Sequence, residues 1–437
     1  MMNTHIHSFG KNLLVWISLL LVCTFLLAAC GSASTTRQTG TSTATKTATT
    51  TSTTSTAGVT PTTVPMPATK TNCPPAGTAR AAVMANLVQG NDTNLVYVSN
   101  QGQIDNPVSA TFKRYNPTTR VETDIVTLQH TPIKDAQVSA DGKWILIGST
   151  VENRSAIQLI RMDGQGLQTV YCSPAGAQGG AMNLEWSPDQ KYVAFMEGGN
   201  VYLLDIANGT HRIVLTHSQN LYYVPRTWLD NTHLYLMGSL PGTETPPLYN
   251  VSLLDITSAK MQKVLNLPIL CGDFDSSIDG TQLFTNECVA SIPSTGGPSN
   301  IKVLPASGGT GTTIYSTPAY GITTLRVASS DTLLLVIYNT GPGKVDTSHN
   351  GLWKMKTDGS GLTRLTTEPA GETTFFNFYT QYFWSTVSRD GMWYAVQIIN
   401  YLSSSARSTW ILVGSMNGGT PFTLATGPMR IVGWTTI

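Results

Sequence analysis

Leu184-Glu185-Trp186-Ser187-Pro188-Asp189-Gln190-Lys191-Tyr192-Val193-Ala194-Phe195 is the stretch from which the fold is read. It holds a short extended segment, a turn centred on Asp189, and a second segment rich in β-branched and aromatic residues. Val201-Tyr202-Leu203-Leu204-Asp205 and the turn Asn208-Gly209 follow, so the phrase reads strand, turn, strand, strand, turn. An earlier copy is Val138-Ser139-Ala140-Asp141-Gly142-Lys143-Trp144-Ile145-Leu146-Ile147. Later copies surround Asp230, Asp279, Asp331 and Asp390, the last as Val387-Ser388-Arg389-Asp390-Gly391-Met392-Trp393-Tyr394-Ala395.

The six aspartates are spaced by 48, 41, 49, 52 and 59 residues. A repeat of that length, made of strands and turns, predicts four-stranded blades arranged in a ring. The segments after each turn (WILI, YVAF, LYLM, LLLVIY, WYAV) are apolar at consecutive positions. Strands covered on both faces show that pattern. No segment carries a long helical period. The expected fold class is all-β, a β-propeller.

The outer half of the repeat is clearest at Leu352-Trp353-Lys354-Met355-Lys356-Thr357-Asp358-Gly359-Ser360-Gly361-Leu362-Thr363-Arg364-Leu365-Thr366, with a second copy from Ile157 to Val170. With the Trp-Ser-Pro-Asp-x-Lys run at 186–191, these stretches resemble TolB-like and WD-like propeller repeats over most of residues 80–437. The resemblance implies the fold and leaves the function open. Strand-like runs at Arg80–Asn86, Asn94–Ser99 and Thr111–Leu128 precede the first turn and lack an inner strand. Met429-Arg430-Ile431-Val432-Gly433-Trp434-Thr435-Thr436 looks like an inner strand with no blade after it. The carboxyl-terminal strand is therefore expected to complete the first blade and close the ring, which removes open edges. Seven blades are predicted. Six is the alternative, because TolB itself resembles a six-bladed version.

Before the repeats, the chain has a different character. His5, His7 and Lys11 precede an apolar run from Leu13 to Ala29, which ends on Leu27-Ala28-Ala29-Cys30-Gly31. This is the layout of a secretory signal, and the placement of Cys30 resembles the lipobox of bacterial lipoproteins. That resemblance implies a diacylglycerol on the Cys30 thiol, removal of residues 1–29, and anchoring on the outer side of the cell membrane. Two acyl chains suffice for stable anchoring, at roughly 0.8 kcal/mol per buried CH₂. The alternatives are an uncleaved anchor or an ordinary signal. Gly31 occupies the place where an Asp is linked to inner-membrane retention.

Residues 30–72 are Thr, Ser, Ala and Pro with hardly a large hydrophobe, so a disordered linker is expected there. About 40 residues of coil reach roughly 35 Å. Residues 73–437 then form the propeller domain.

The chain carries 26 Lys+Arg against 25 Asp+Glu. Loss of Lys11 with the leader leaves 25 − 25 = 0. Such a balance argues against nucleic acid as a partner. Cys73, Cys172, Cys271 and Cys288 remain after Cys23 and Cys30 are set aside, an even number suited to an oxidising compartment. Cys271 and Cys288 lie symmetrically about Asp279-Gly280, which favours a cross-strand disulfide. Cys73–Cys172 would then staple the start of the domain to an early blade. Four free thiols are the alternative.

Catalytic signatures are scarce. There is no G-x-S-x-G elbow and no H-E-x-x-H, and His130, His211, His217, His233 and His349 are scattered. No hydrolase domain of the kind that follows similar propellers in prolyl-oligopeptidase-like enzymes is read in the sequence. Asp163-Gly164-Gln165-Gly166, Asp358-Gly359-Ser360-Gly361 and Asp273-Phe274-Asp275 are read as turns in preference to calcium loops. No cofactor and no metal are expected.

Two aromatic stretches, 221–226 and 375–384, are expected to connect one blade to the next on the face around the channel. Tyr222, Tyr223, Arg226, Phe376, Tyr379 and Tyr382 are the candidate binding residues, with packing between blades as the plainer role. The expected function is a monomeric, lipid-anchored binding or scaffold protein for a protein or glycan. The rival is a lyase- or glycosidase-type propeller enzyme. A cluster of carboxylates with shifted pKa values at the channel would favour the enzyme, and an aromatic rim without one would favour binding. An assembly partner for another envelope protein is a third reading.

Overall fold

The computed structural model describes residues 72–74, 87, 90–103, 106–177, 179–217, 222–239, 248–268, 272–288, 298–337, 348–366, 374–377, 386–401 and 407–437. Its strands form seven four-stranded antiparallel sheets, and these are the seven blades of a propeller. Blade 1 takes its inner strand from the end of the chain. Strand β28 (Met429–Thr435) pairs with β1 (Asn94–Gln103), followed by β2 (Asn106–Tyr115) and β3 (Glu122–Gln129). Blade 2 is β4 (Asp135–Val138), β5 (Trp144–Val151), β6 (Arg154–Arg161) and β7 (Gln168–Cys172). Blade 3 is β8 (Met182–Trp186), β9 (Tyr192–Glu197), β10 (Asn200–Asp205) and β11 (His211–Leu215).

Blade 4 runs through β12 (Tyr223–Trp228), β13 (His233–Ser239), β14 (Leu248–Asp255) and β15 (Lys260–Pro268). Blade 5 has β16 (Asp273–Ser276), β17 (Gln282–Cys288), β18 (Ser299–Pro305) and β19 (Thr312–Thr317). Blade 6 has β20 (Ile322–Val327), β21 (Thr332–Ile337), β22 (Gly351–Lys356) and the short β23 (Thr363–Arg364). Blade 7 has β24 (Thr374–Asn377), β25 (Trp393–Tyr401), β26 (Arg407–Ser415) and β27 (Phe422–Thr426). The expected closure by the carboxyl-terminal strand is therefore observed, and the count is seven.

Apolar runs on the second strands have a direct cause in the packing. Ile145 and Ile147 of β5 point into the cluster between blades 1 and 2, whereas Trp144 and Leu146 point into the one between blades 2 and 3. Val193 and Phe195 of β9 face blade 2, and Ala194 faces blade 4. One strand thus feeds two interfaces, so both of its faces are apolar. The described core resolves into seven clusters, one between each pair of neighbouring blades.

The recurrent turn is a hydrogen-bonded unit. In blade 2 the Ser139 hydroxyl donates to Asp141 at 2.6 Å and accepts from Trp144 N–H at 3.0 Å, while Asp141 accepts from Lys143 N–H at 3.0 Å. The same unit occurs at Ser187–Asp189, Ser277–Asp279 and Ser388–Asp390. The residue after the aspartate takes positive φ, +74° at Gly142 and +63° at Gln190. Asp163 and Asp358 also cap turns, accepting from Gln165 N–H and Ser360 N–H. Asp273-Phe274-Asp275, expected to be a turn, is instead inner strand β16, held in register with Asn286, Thr285 and Phe284.

Around the seam, Arg389 of blade 7 reaches three carbonyls. Its guanidinium donates to Trp434 O at 2.9 Å, Ala140 O at 2.5 Å and Ser139 O at 2.7 Å. It thereby ties blades 7, 1 and 2 together. Burial pulls its pKa down to about 10, against the charge of Asp141. Thr93 donates to Asp390 at 2.6 Å and Thr435 donates to Gly142 O at 2.6 Å across the same junction.

A disulfide joins Cys73 to Cys172, with Cα atoms 5.6 Å apart across 99 residues of sequence. The register of β16 and β17 (273 with 286, 275 with 284) is the one that would set 271 opposite 288. Cys271 itself lies outside the described residues, as does the Cys288 side chain.

Candidate functional site

Inner strands stand around the axis with one edge unpaired, so their N–H groups on that side need acceptors. The neighbouring blade supplies them. Asp135 of β4 accepts Leu184 N–H at 3.0 Å, and Gln137 accepts Trp186 N–H at 3.3 Å and donates to Leu184 O. Three blades on, the device repeats. Asp273 of β16 accepts Leu325 N–H at 3.2 Å, and Asp275 accepts Val327 N–H at 2.9 Å. In both cases the acceptors lie six and four residues before the turn aspartate, at Asp141 and Asp279.

Arginines join the same layer. Arg226 pairs with Asp273 at 2.9 Å, and Arg326 with the other Asp273 oxygen at 2.5 Å. Arg226 occupies the register shift between Pro225 and Thr227. A bulge there turns its side chain out of the strand's alternation. Arg430 of β28 donates to Lys134 O, and Trp228 Nε1 donates to Glu185 O at 3.1 Å. Gln397 closes the blade 7 to blade 1 junction through Met429 O at 2.9 Å. The result is a polar girdle centred on the inner strands, with Gln397 joining it from β25.

Its carboxyls do not titrate alike. Asp273 is drawn below the ordinary range, because Arg326, Arg226 and Leu325 N–H outweigh the burial that works to raise it. Burial pushes Asp275 up to about 6, against Arg326 and Val327 N–H. Asp135 is raised by burial, which Arg430 partly offsets. Glu185 is raised well above the carboxylate range by burial and then by Asp135. It is 2% exposed, and its Oε2 has no hydrogen-bond partner among the described residues.

Candidate binding residues separate on this frame. Tyr222 is half exposed just before β12. Tyr223 is buried in the cluster between blades 3 and 4, and Arg226 belongs to the girdle. Phe376 sits in inner strand β24 opposite Ile398, a strand where the sequence suggested a connection. Tyr379 and Tyr382 lie outside the described residues, as does Cys30. The structure therefore brings none of these tyrosines together with another at a described surface. Sequence reasoning missed the girdle, although the D-x-Q and D-x-D pairs at one fixed distance before the turn aspartate were its signal.

No family model matches the chain, and no curated protein sequence matches it. Solved structures do. The chain is a seven-bladed β-propeller. A putative TolB from Agrobacterium tumefaciens shares 18% identity, covering 62% of this chain and 88% of that one, with a TM-score of 0.40. TolB from Acinetobacter baumannii shares 13%, covering 77% and 82%, with a TM-score of 0.40. An oligogalacturonate lyase in complex with manganese shares 13%, covering 78% and 75%, with a TM-score of 0.31. At these identities the likeness concerns fold.

Proposed function

We propose that this propeller is a binding or scaffold module for a protein or glycan, held outside the cell membrane by a lipid on Cys30. The observation that supports the non-enzymatic reading is how the girdle's polar groups are engaged. A cluster of carboxylates with shifted pKa values is present, the very feature tied above to an enzyme. Yet Asp273 and Asp275, 9% and 5% exposed, are aimed at the backbone of the next blade. Groups fixed in that way hold the ring together and do not reach a substrate.

Export is supported by the Cys73–Cys172 disulfide, since such bonds persist in oxidising compartments. The recognition face is assigned to the side where inner strands begin and Tyr222 lies. The strand-to-strand connections there lengthen in three successive blades (240–247, 289–298, 338–350), while those of the opposite face stay at four to six residues between the outer two strands. Long connections on a rigid scaffold are where binding residues concentrate.

Crosslinking on intact cells that carry the Cys30-anchored protein tests the reading. One partner should be captured reproducibly and lost on Tyr222→Ala, whose ring is exposed enough to be removed without unfolding. Labelling with an alkynyl fatty acid should require Cys30. A label that survives Cys30→Ala would remove the anchor from the proposal. The enzyme reading retains one specific observation, the buried acid Glu185 with a free oxygen. Turnover of an oligosaccharide or peptide that is abolished by Glu185→Gln in a folded variant would establish it in place of binding.

A further inference from the structure

Three inner strands carry a polar pair six and four residues before a turn aspartate: Asp135 and Gln137, Asp273 and Asp275, and Asn183 and Glu185. The first two pairs are taken up by backbone N–H groups of the next blade. The third is not. Asn183 makes no hydrogen bond among the described residues, and Glu185 accepts no backbone N–H there. One junction of the girdle, between blades 3 and 4, is thus built differently from its two counterparts.

The cause is local. Strands β4 and β16 pair with β5 and β17 without interruption. Strand β8 instead shifts register between Met182 and Glu185, where Asn183 takes φ +55°. Asparagine tolerates that left-handed conformation, and a bulge re-aims its side chain, so Asn183 is exposed. Across the junction, Pro225 of β12 has no N–H to give, and Arg226 occupies a bulge of its own. Each of the two facing inner strands therefore releases a polar side chain that the other junctions tie down.

Leu184 and Trp186 pack towards blade 2, so strand alternation turns Glu185 towards blade 4. Trp228, two residues beyond Arg226, donates its ring N–H to Glu185 O at 3.1 Å, which sets both side chains at similar height. Glu185 is buried with Oε2 unpartnered. A buried polar atom without a partner calls for one from outside the chain. Arg226 gives one amino group to Asp273 at 2.9 Å, and its side chain remains 22% exposed. Its Nε and second amino group have no partner among the described residues. Asp273 also serves Arg326, so two guanidiniums share one carboxylate on that side.

We propose that this junction binds a free α-amino acid, its carboxylate on Arg226 and Asn183 and its ammonium on Glu185. Charge complementarity selects the class. A plain anion would meet Arg226 but sit against the carboxyl of Glu185, with Asp135 behind it. A plain cation would meet Glu185 but sit against the guanidiniums that share Asp273. A molecule carrying both signs on neighbouring carbons satisfies both walls. An ammonium at Oε2 also offsets the penalty that burial and Asp135 place on a charged Glu185. Neither Cys30 nor Tyr222 enters the proposal, so its failure leaves the labelling and crosslinking experiments standing, and theirs leaves this one.

Calorimetric titration of the full chain tests it, first with each proteinogenic L-amino acid. The tightest binder is then compared with its α-hydroxy acid, which lacks the ammonium, and its amine, which lacks the carboxylate. Each analogue should bind about tenfold more weakly or worse, the worth of one charged hydrogen bond. Glu185→Gln should weaken the amino acid to a similar degree and leave the hydroxy acid unchanged. Arg226→Met should weaken the amino acid and the hydroxy acid and leave the amine unchanged. Should Arg226→Met unfold the ring, Asn183→Gly replaces it. Glycine suits φ +55°, so the bulge survives without its amide, and the amino acid and hydroxy acid should again bind more weakly. A chain that binds none of the amino acids, or natively folded variants that keep the parent's affinities, would overturn the proposal.

Discussion

Replacing Asp275 by Asn should stabilise the ring at neutral pH and leave it unaided in acid. Asp275 is 5% exposed, and its pKa is pushed by burial from an ordinary 3.8 up to about 6. An acid whose folded pKa lies above its unfolded one keeps its proton longer in the native state. Stability therefore falls as pH rises from about 4 to about 6 and is flat beyond. At roughly 1.36 kcal/mol per pH unit, ionisation of Asp275 costs about 3 kcal/mol above pH 7.

Asparagine removes that cost and keeps an oxygen for Val327 N–H, now bonded at 2.9 Å. It loses one acceptor, the oxygen that takes Ser276 N–H at 3.0 Å, at about 1 kcal/mol. The net gain is about 2 kcal/mol at pH 7.5. With an unfolding entropy of roughly 2.1 cal/mol/K per residue, a ring of this size should gain about 3 °C in Tm. Urea titrations followed by tryptophan emission between pH 4 and 8 measure it. The gain should fade towards pH 4 with an unchanged m-value. A variant less stable than the parent at pH 7.5, with the parent's pH dependence, refutes the account of the girdle.

Arg389→Met should cost about 3 kcal/mol or more of unfolding free energy by urea titration, because three carbonyls lose charged donors at the seam. Arg389→Lys should recover only part, since an ammonium cannot span that fork. Gln190→Gly should stabilise by about 0.5–1 kcal/mol, because a side chain at φ +63° is strained where glycine is not. A loss of stability there would mean that Gln190 has contacts outweighing the strain. Removing residues 428–437 strips β28 from β1 and takes away Trp434, which is fully buried. The truncated product should aggregate, and a soluble, cooperatively melting truncation would sink the closure. Glu185→Gln should stabilise the ring increasingly as pH rises, read in the same urea titrations, because burial and Asp135 raise the native carboxyl above its ordinary range.

Strand order, blade boundaries and the closing strand were legible because each rests on short-range chemistry. Ser139-x-Asp141-Gly142 builds its own turn from neighbouring atoms, and the apolar faces of Ile145 and Leu146 announce two covered sides. The period between turn aspartates then sets the number of sheets, and an unpartnered strand at each end of the repeats requires closure. Chain reading also found Cys73 and Cys172 as a pair, though not where on the ring they lie. The candidate binding residues fared differently. Of the two roles open to Tyr223 and Arg226, binding or packing between blades, Tyr223 takes the second, and Arg226 is turned towards Asp273 by a bulge that the sequence does not announce.

What the sequence alone determined is the propeller, its repeat and its seam, because periodic burial and turn formation act within one blade. What only the tertiary structure decided is the girdle. Asp135 meets Leu184 and Asp273 meets Leu325 across about fifty residues, and no local pattern states that the free edge of one inner strand will be satisfied by side chains of the blade beside it. The raised pKa of Glu185 follows from the same closeness. A carboxyl's pKa is set by the burial and the charges around it, and the ring brings Asp135, Arg226 and Arg326 to it from three other blades.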